Sequence, residues 1–111
     1  MEITWQDFER VEMRVGTILE TRDFERAKRP AYQLLIDFGG EIGVRRSSAQ
    51  ITTLYNKEEL IGRQVVAVVN FPVKQIANFF SECLVLGAVS ADGTVTLLQP
   101  ERGVANGLRI L

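Results

Sequence analysis

Met13-Arg14-Val15-Gly16-Thr17-Ile18-Leu19-Glu20 is the stretch whose reading decides the fold. Met13, Val15, Thr17 and Leu19 alternate with Arg14, Gly16, Ile18 and Glu20, a period of two that belongs to a strand and not to a helix. Gly16 inside that strand predicts a bulge or sharp bend, the device by which a strand curls around a small barrel. Upstream, Thr4 to Val11 reads as a short helix, with Thr4 placed to cap and Asp7 three residues later to complete the capping box. Trp5, Phe8 and Val11 share one face of it, and that stripe is expected to pack onto the barrel's own core.

Downstream, a charged stretch from Thr21 to Arg29 closed by Pro30 leads to a second strand, Tyr32 to Phe38. Gly39-Gly40 predicts a tight turn into a third, Glu41 to Arg46. Ser48 to Tyr55 reads as one or two helical turns, and Asn56 with Glu59 forms a second capping arrangement before Leu60. Gln64 to Asn70, dense in valine, predicts a strand buried on both faces that Phe71-Pro72 ends. After an irregular stretch from Val73 to Ser81, Leu84 to Val89 is the fifth strand. Asp92-Gly93 turns the chain into Val95 to Leu98, and an Asn106-Gly107 turn precedes Leu108 to Ile110. Five principal strands with a short helix between the third and fourth predict an all-β, five-stranded Greek-key barrel of the OB-fold type, spanning about residues 13–98 of a single domain.

Composition narrows the chemistry. The 111 residues contain no histidine, which removes the usual general acid/base, the usual partner of a nucleophilic Ser or Cys, and the commonest metal ligand. One cysteine without histidine cannot build a structural zinc site, so no metal, cofactor or catalytic residue is expected. Cys83 lies in the apolar run Cys83-Leu84-Val85-Leu86 and reads as a buried small hydrophobe. A net charge of −1 offers no global attraction to nucleic acid, so any polyanion would need a local patch. The first residues lack the order of a signal peptide and no apolar run could span a bilayer, which predicts a cytoplasmic chain without membrane insertion.

Two stretches carry candidate binding chemistry. Arg45-Arg46-Ser47-Ser48-Ala49-Gln50 puts two guanidiniums beside hydroxyls and an amide, a set suited to phosphate or carboxylate. Equally, one arginine could pair with an acid such as Glu41 while a serine caps a helix. Asn70 to Glu82 carries Phe71, Phe79 and Phe80 beside Lys74, aromatic faces on which a nucleic-acid strand stacks or an apolar peptide packs. At least one of these rings is expected to plug the barrel's end instead.

The ordered set Met13-Arg14-Val15-Gly16-Thr17-Ile18, Arg46-Ser47-Ser48-Ala49-Gln50-Ile51-Thr52, Val68-Val69-Asn70-Phe71-Pro72, Ser81-Glu82-Cys83-Leu84-Val85-Leu86-Gly87 and Leu97-Leu98-Gln99-Pro100 resembles the tRNA-binding domain family. Ile36-Asp37-Phe38-Gly39, Glu41-Ile42-Gly43 and Ser47 to Thr52 resemble its CsaA-like secretion-chaperone branch more than its synthetase-fused branch. The resemblance implies an OB-fold whose terminal extensions, 1–12 and 99–111, form a homodimer. It also implies an export-related chaperone without catalysis, with unfolded or precursor polypeptide and the secretion motor ATPase as partners. Relatives with the same barrel bind tRNA. Carried over by motif, the binding surface comprises Arg14, Arg45, Ser48, Gln50, Asn70, Phe71, Lys74, Ile76, Phe79, Ser81 and Glu82. Where family members have consecutive basic residues and a loop glycine, this chain has Lys74-Gln75 and Asn78, and Asn78 can supply the left-handed backbone that glycine would. The lost basic charge favours a peptide-binding chaperone over a tRNA-binding module.

Overall fold

The computed structural model describes residues 1–111. In chain order its elements are α1 (Trp5–Glu9), β1 (Met13–Asp23), β2 (Tyr32–Asp37), α2 (Gly39–Ile42), β3 (Val44–Ala49), α3 (Lys57–Leu60) and β4 (Gln64–Val68). They continue with β5 (Lys74–Ile76), β6 (Phe79–Ser81), β7 (Leu84–Val85), β8 (Gly87–Val89) and β9 (Val95–Leu97). Five antiparallel strands lie in the order β3-β2-β1-β4-β7, and two hairpins, β5-β6 and β8-β9, complete the structure. After β6 the chain returns to β3, where Glu82 N–H donates to the Arg46 carbonyl at 2.8 Å and nearly closes the sheet into the expected OB-type barrel.

β1 is long enough to serve two neighbours. Met13–Thr17 pair with β4 and Thr17–Asp23 with β2, and the register shifts between Ile18 and Glu20. The bulge therefore sits at Leu19 and not at Gly16, as the sequence predicted. Gly16 answers a different need: a Cβ there would lie 2.6 Å from Ile36 Cγ2 and 2.7 Å from the Phe38 ring. The missing side chain lets the core close over the strand. On the edge of β1 that β2 leaves open, the C-terminal segment pairs instead. Val15 N–H donates to the Leu108 carbonyl at 3.0 Å, Gly107 N–H to Val15 at 2.8 Å and Ile110 N–H to Met13 at 3.0 Å.

Alternation along β2 buries Tyr32, Leu34 and Ile36, and these pack with Ile18, Phe38, Leu60, Val65 and Ala67 in the main core. β4 is buried from Val65 to Val68, as its valines predicted. The first capping box forms, with Asp7 N–H on Thr4 Oγ1 at 3.1 Å and Thr4 N–H on Asp7 Oδ2 at 3.0 Å. Its expected packing does not: α1 buries no residue and Trp5 is 80% exposed. The five-residue helix is tied at its C-terminal end by Asn70 to Arg10 and by Arg109 to Glu9, with Trp5 and Val11 exposed and Phe8 half-buried.

Three further readings change. Gly39-Gly40 opens the single turn α2, not a tight turn. β3 starts at Val44 and runs through Ser48 and Ala49, read as helical from sequence, because β2 is long enough to pair Gln33 with Ser48 and Tyr32 with Ala49. The irregular stretch from Val73 to Ser81 is the β5-β6 hairpin, and the left-handed residue at its turn is Ala77 (φ 54°), not Asn78. Finally, the fifth strand divides at Leu86: β7 stays with β4, while β8 turns to β9.

Candidate functional site

The β5-β6 hairpin, with the end of β3, β7 and the β8-β9 hairpin, borders a groove of about 800 Å³. Phe71, Pro72, Val73, Lys74 and Ile76 line it on the hairpin side, and Ser48, Ala49, Gln50 and Ile51 come from β3 and the residues after it. Leu84 to Gly87, Val89 and Val95 supply further apolar lining. Phe71 and Val73 are more than half exposed, as is Val89. Lys74 is the single charged residue in the lining, which contains no carboxylate. An open apolar trough with a few amides and hydroxyls is a surface for extended chain or apolar ligand.

Of the residues expected on the binding surface, Ser48, Gln50, Phe71, Lys74, Ile76 and Ser81 meet in this groove. Ser81 Oγ accepts from Ser48 N–H at 3.1 Å, which fixes the hairpin to β3. The other five lie outside it and hold the fold. Arg14 pairs with Glu12 at 2.6 Å and donates to the Gly107 carbonyl at 2.9 Å. Asn70 ties α1 to β4, its Oδ1 accepting from Glu12 N–H at 3.0 Å and its Nδ2 donating to the Arg10 carbonyl at 2.7 Å. Arg45 donates to the Val69 carbonyl at 3.0 Å, and Glu82 accepts from Arg46 N–H at 3.0 Å and pairs with its guanidinium. One arginine of the pair thus meets an acid, as one of the two readings had it, but the acid is Glu82 and not Glu41.

Phe79 is the aromatic that packs inward. It is buried, stacks at 57° on Phe24 with centroids 5.3 Å apart, and lies under the Arg46 guanidinium at 5.7 Å. Phe71 and Phe80 remain exposed. Missed by sequence reasoning were Val73, Leu84 and Val89, three exposed apolar residues of the groove. Val73 carried one usable signal, following Pro72 where the ladder must break. Leu84 and Val89 carried none, because an unbroken apolar run hides which side chains face out.

A second depression of about 270 Å³ lies on the outer face of β1, β2 and β3, lined by Glu20, Arg22, Gln33, Arg46 and Phe79 among others. Cys83 belongs to the main core and forms part of the groove's floor, and burial pushes its thiol from the ordinary 9.0 to about 11. The folded protein should therefore react with a thiol reagent at neutral pH far more slowly than the urea-unfolded chain, and rapid native labelling would contradict this. Because the folded thiol titrates higher than the unfolded one, its contribution to stability is fully present below about pH 9 and is lost as the pH rises through about 11.

Residues 13–109 match the family model described as "Putative tRNA binding domain". The chain is 50% identical to chaperone CsaA from Bacillus anthracis, whose crystal structure it matches with a TM-score of 0.94 over 100% of both chains. It is 54% identical to the CsaA chaperone protein from Picrophilus torridus, with a TM-score of 0.91 over 99% of this chain and 100% of the other. A methionine–tRNA ligase from Porphyromonas gingivalis is 33% identical over 109 residues, which is 98% of this chain and 16% of the ligase. The chain thus spans about a sixth of the length of the ligases it matches.

Proposed function

The chain belongs to the tRNA-binding domain family, in its CsaA branch, and from that premise we propose that it is a chaperone-type binding protein whose groove holds extended, apolar polypeptide. The observation that carries this reading is the groove itself: Phe71, Val73 and Leu84 stand in solvent on one concave surface, with no carboxylate among them. Exposed apolar side chains gathered in a concavity favour an apolar partner through area removed from water. In this role the chain acts without catalysis, in the cytoplasm, on unfolded or precursor polypeptide destined for the secretion motor ATPase.

Peptide anisotropy tests it. Phe71→Ala should weaken binding of an apolar peptide by about 2 kcal/mol, as loss of an aromatic anchor does, while Lys74→Ala costs less than about 1 kcal/mol. Affinity should change little between low and high salt. A folded Phe71→Ala protein with parental affinity would remove the groove from the function.

A second reading is supported by the outer face of β1-β2-β3, where Arg22, Gln33 and Arg46 share a depression with Glu20 and the Arg46 guanidinium lies over the Phe79 ring. These are the parts of a tRNA-binding module, and the two readings differ in salt response. Binding of tRNA there should fall steeply with salt, and Arg22→Ala should reduce the slope by about one phosphate contact.

The terminal extensions support a homodimer. Ile3, Trp5, Leu108 and Leu111 are each at least half exposed, and a small barrel leaves such residues for a partner copy. Light scattering at micromolar concentration should give twice the mass of one chain, and Trp5→Asp should return it to one. A parental protein of single-chain mass would end the dimer.

A further inference from the structure

A polypeptide that enters an apolar groove brings N–H and C=O groups that lose their water there, and each must find a new partner. The groove offers such partners. β5 has one ladder neighbour, β6, so its other edge is open. Just before it, Phe71 and Val73, both exposed, make no backbone hydrogen bond within the protein, and elsewhere in the lining neither does the exposed Gln50. Open main-chain groups beside pockets for alternate side chains are what a strand-adding ligand requires. Charge adds a selection rule. Lys74 lies on β5 itself, is exposed, enters no ion pair, and faces no carboxylate in the lining.

Taking polypeptide as the occupant, we infer that it binds as an added strand along the open edge of β5, and that the groove selects apolar segments with a carboxylate where the added strand passes Lys74. Alternate side chains of such a strand point into the groove and the others point to solvent. A basic residue beside Lys74 would meet like charge, and an acidic one its complement.

The probe is a soluble fluorescein-labelled peptide in which Val and Leu alternate with Ser around one central Glu, measured by anisotropy with the full chain. Binding of this parent peptide establishes the occupant. Singly N-methylated versions then read its backbone. Methylation at alternate positions should weaken binding about tenfold, since each removes a bond to the edge. At the intervening positions, whose N–H groups point away, it should change affinity by less than about twofold. Exchanging the probe's Glu for Lys should weaken binding about fivefold at low salt, and Lys74→Glu should invert that order. If the parent binds and every methylation acts alike, the added strand is overturned. If Lys74→Glu leaves the order unchanged, the charge selection is overturned. Failure of the parent peptide itself to bind removes the polypeptide occupant and the inference with it.

Discussion

Truncation after Pro100 should leave a chain that no longer folds stably, although every strand of the barrel is retained. Residues 104 to 110 hold the open edge of β1 and its surroundings through backbone bonds to Met13 and Val15. They also hold it through side-chain bonds: Gln64 Nε2 donates to the Val104 carbonyl at 2.7 Å, Thr17 Oγ1 donates to Asn106 Oδ1 at 2.8 Å, and Arg14 donates to Gly107. At about 1 kcal/mol net for each bond, their joint loss is on the order of 5 kcal/mol or more. That is comparable with the whole stability of a small domain, about 5–15 kcal/mol. The N–H and C=O of Val15, now paired with Leu108 and Gly107, would be opened to water along a strand that is otherwise almost fully buried there. Urea unfolding followed by circular dichroism checks this, and a truncated chain with the parental midpoint would reduce the C-terminal segment to an appendage.

Phe38→Ala should be the most damaging single substitution in the core, at about 3–5 kcal/mol. Phe38 is fully buried, and its ring lies against the position that Gly16 keeps empty. Gly16→Val tests the same contact from the other side. Valine suits a strand better than glycine does, yet its Cβ would overlap both Ile36 and Phe38, so overpacking of about 1–3 kcal/mol should outweigh the gain in propensity. Combined, the two changes should cost less than their sum, because truncating the ring makes room for the new methyls. A coupling of about 1 kcal/mol or more in the double-mutant cycle is expected, and strict additivity would show that Gly16 serves some other purpose.

These contacts also mark how far residue patterns reach. The alternation from Met13 to Glu20 placed β1, and β-branched density placed β4, because both signals are written in side chains two apart on one strand. The Thr4-Asp7 capping box was legible for the same reason, being closed within one turn. Absence of histidine excluded most acid–base chemistry without any structure. In the site, six of the eleven residues expected on the binding surface share the groove: proximity in sequence keeps Phe71, Lys74, Ile76 and Ser81 together around one hairpin, while β3 brings Ser48 and Gln50 to it.

What sequence by itself determined, then, was local: most of the strands, their alternating faces and the caps. Tertiary structure alone decided which neighbour each residue meets. Phe79 and Phe80 are adjacent and chemically identical, yet Phe79 is buried because Phe24, more than fifty residues earlier, folds against it, while Phe80 on the opposite face of β6 is exposed. Asn70 was read as a binding residue, and its amide is spent on the backbone of Arg10 and Glu12. Ser48 joined a strand instead of a helix because β2 extended the ladder beneath it. In each case the deciding contact lies outside the residue's own element, and its energy depends on a partner that no local pattern encodes.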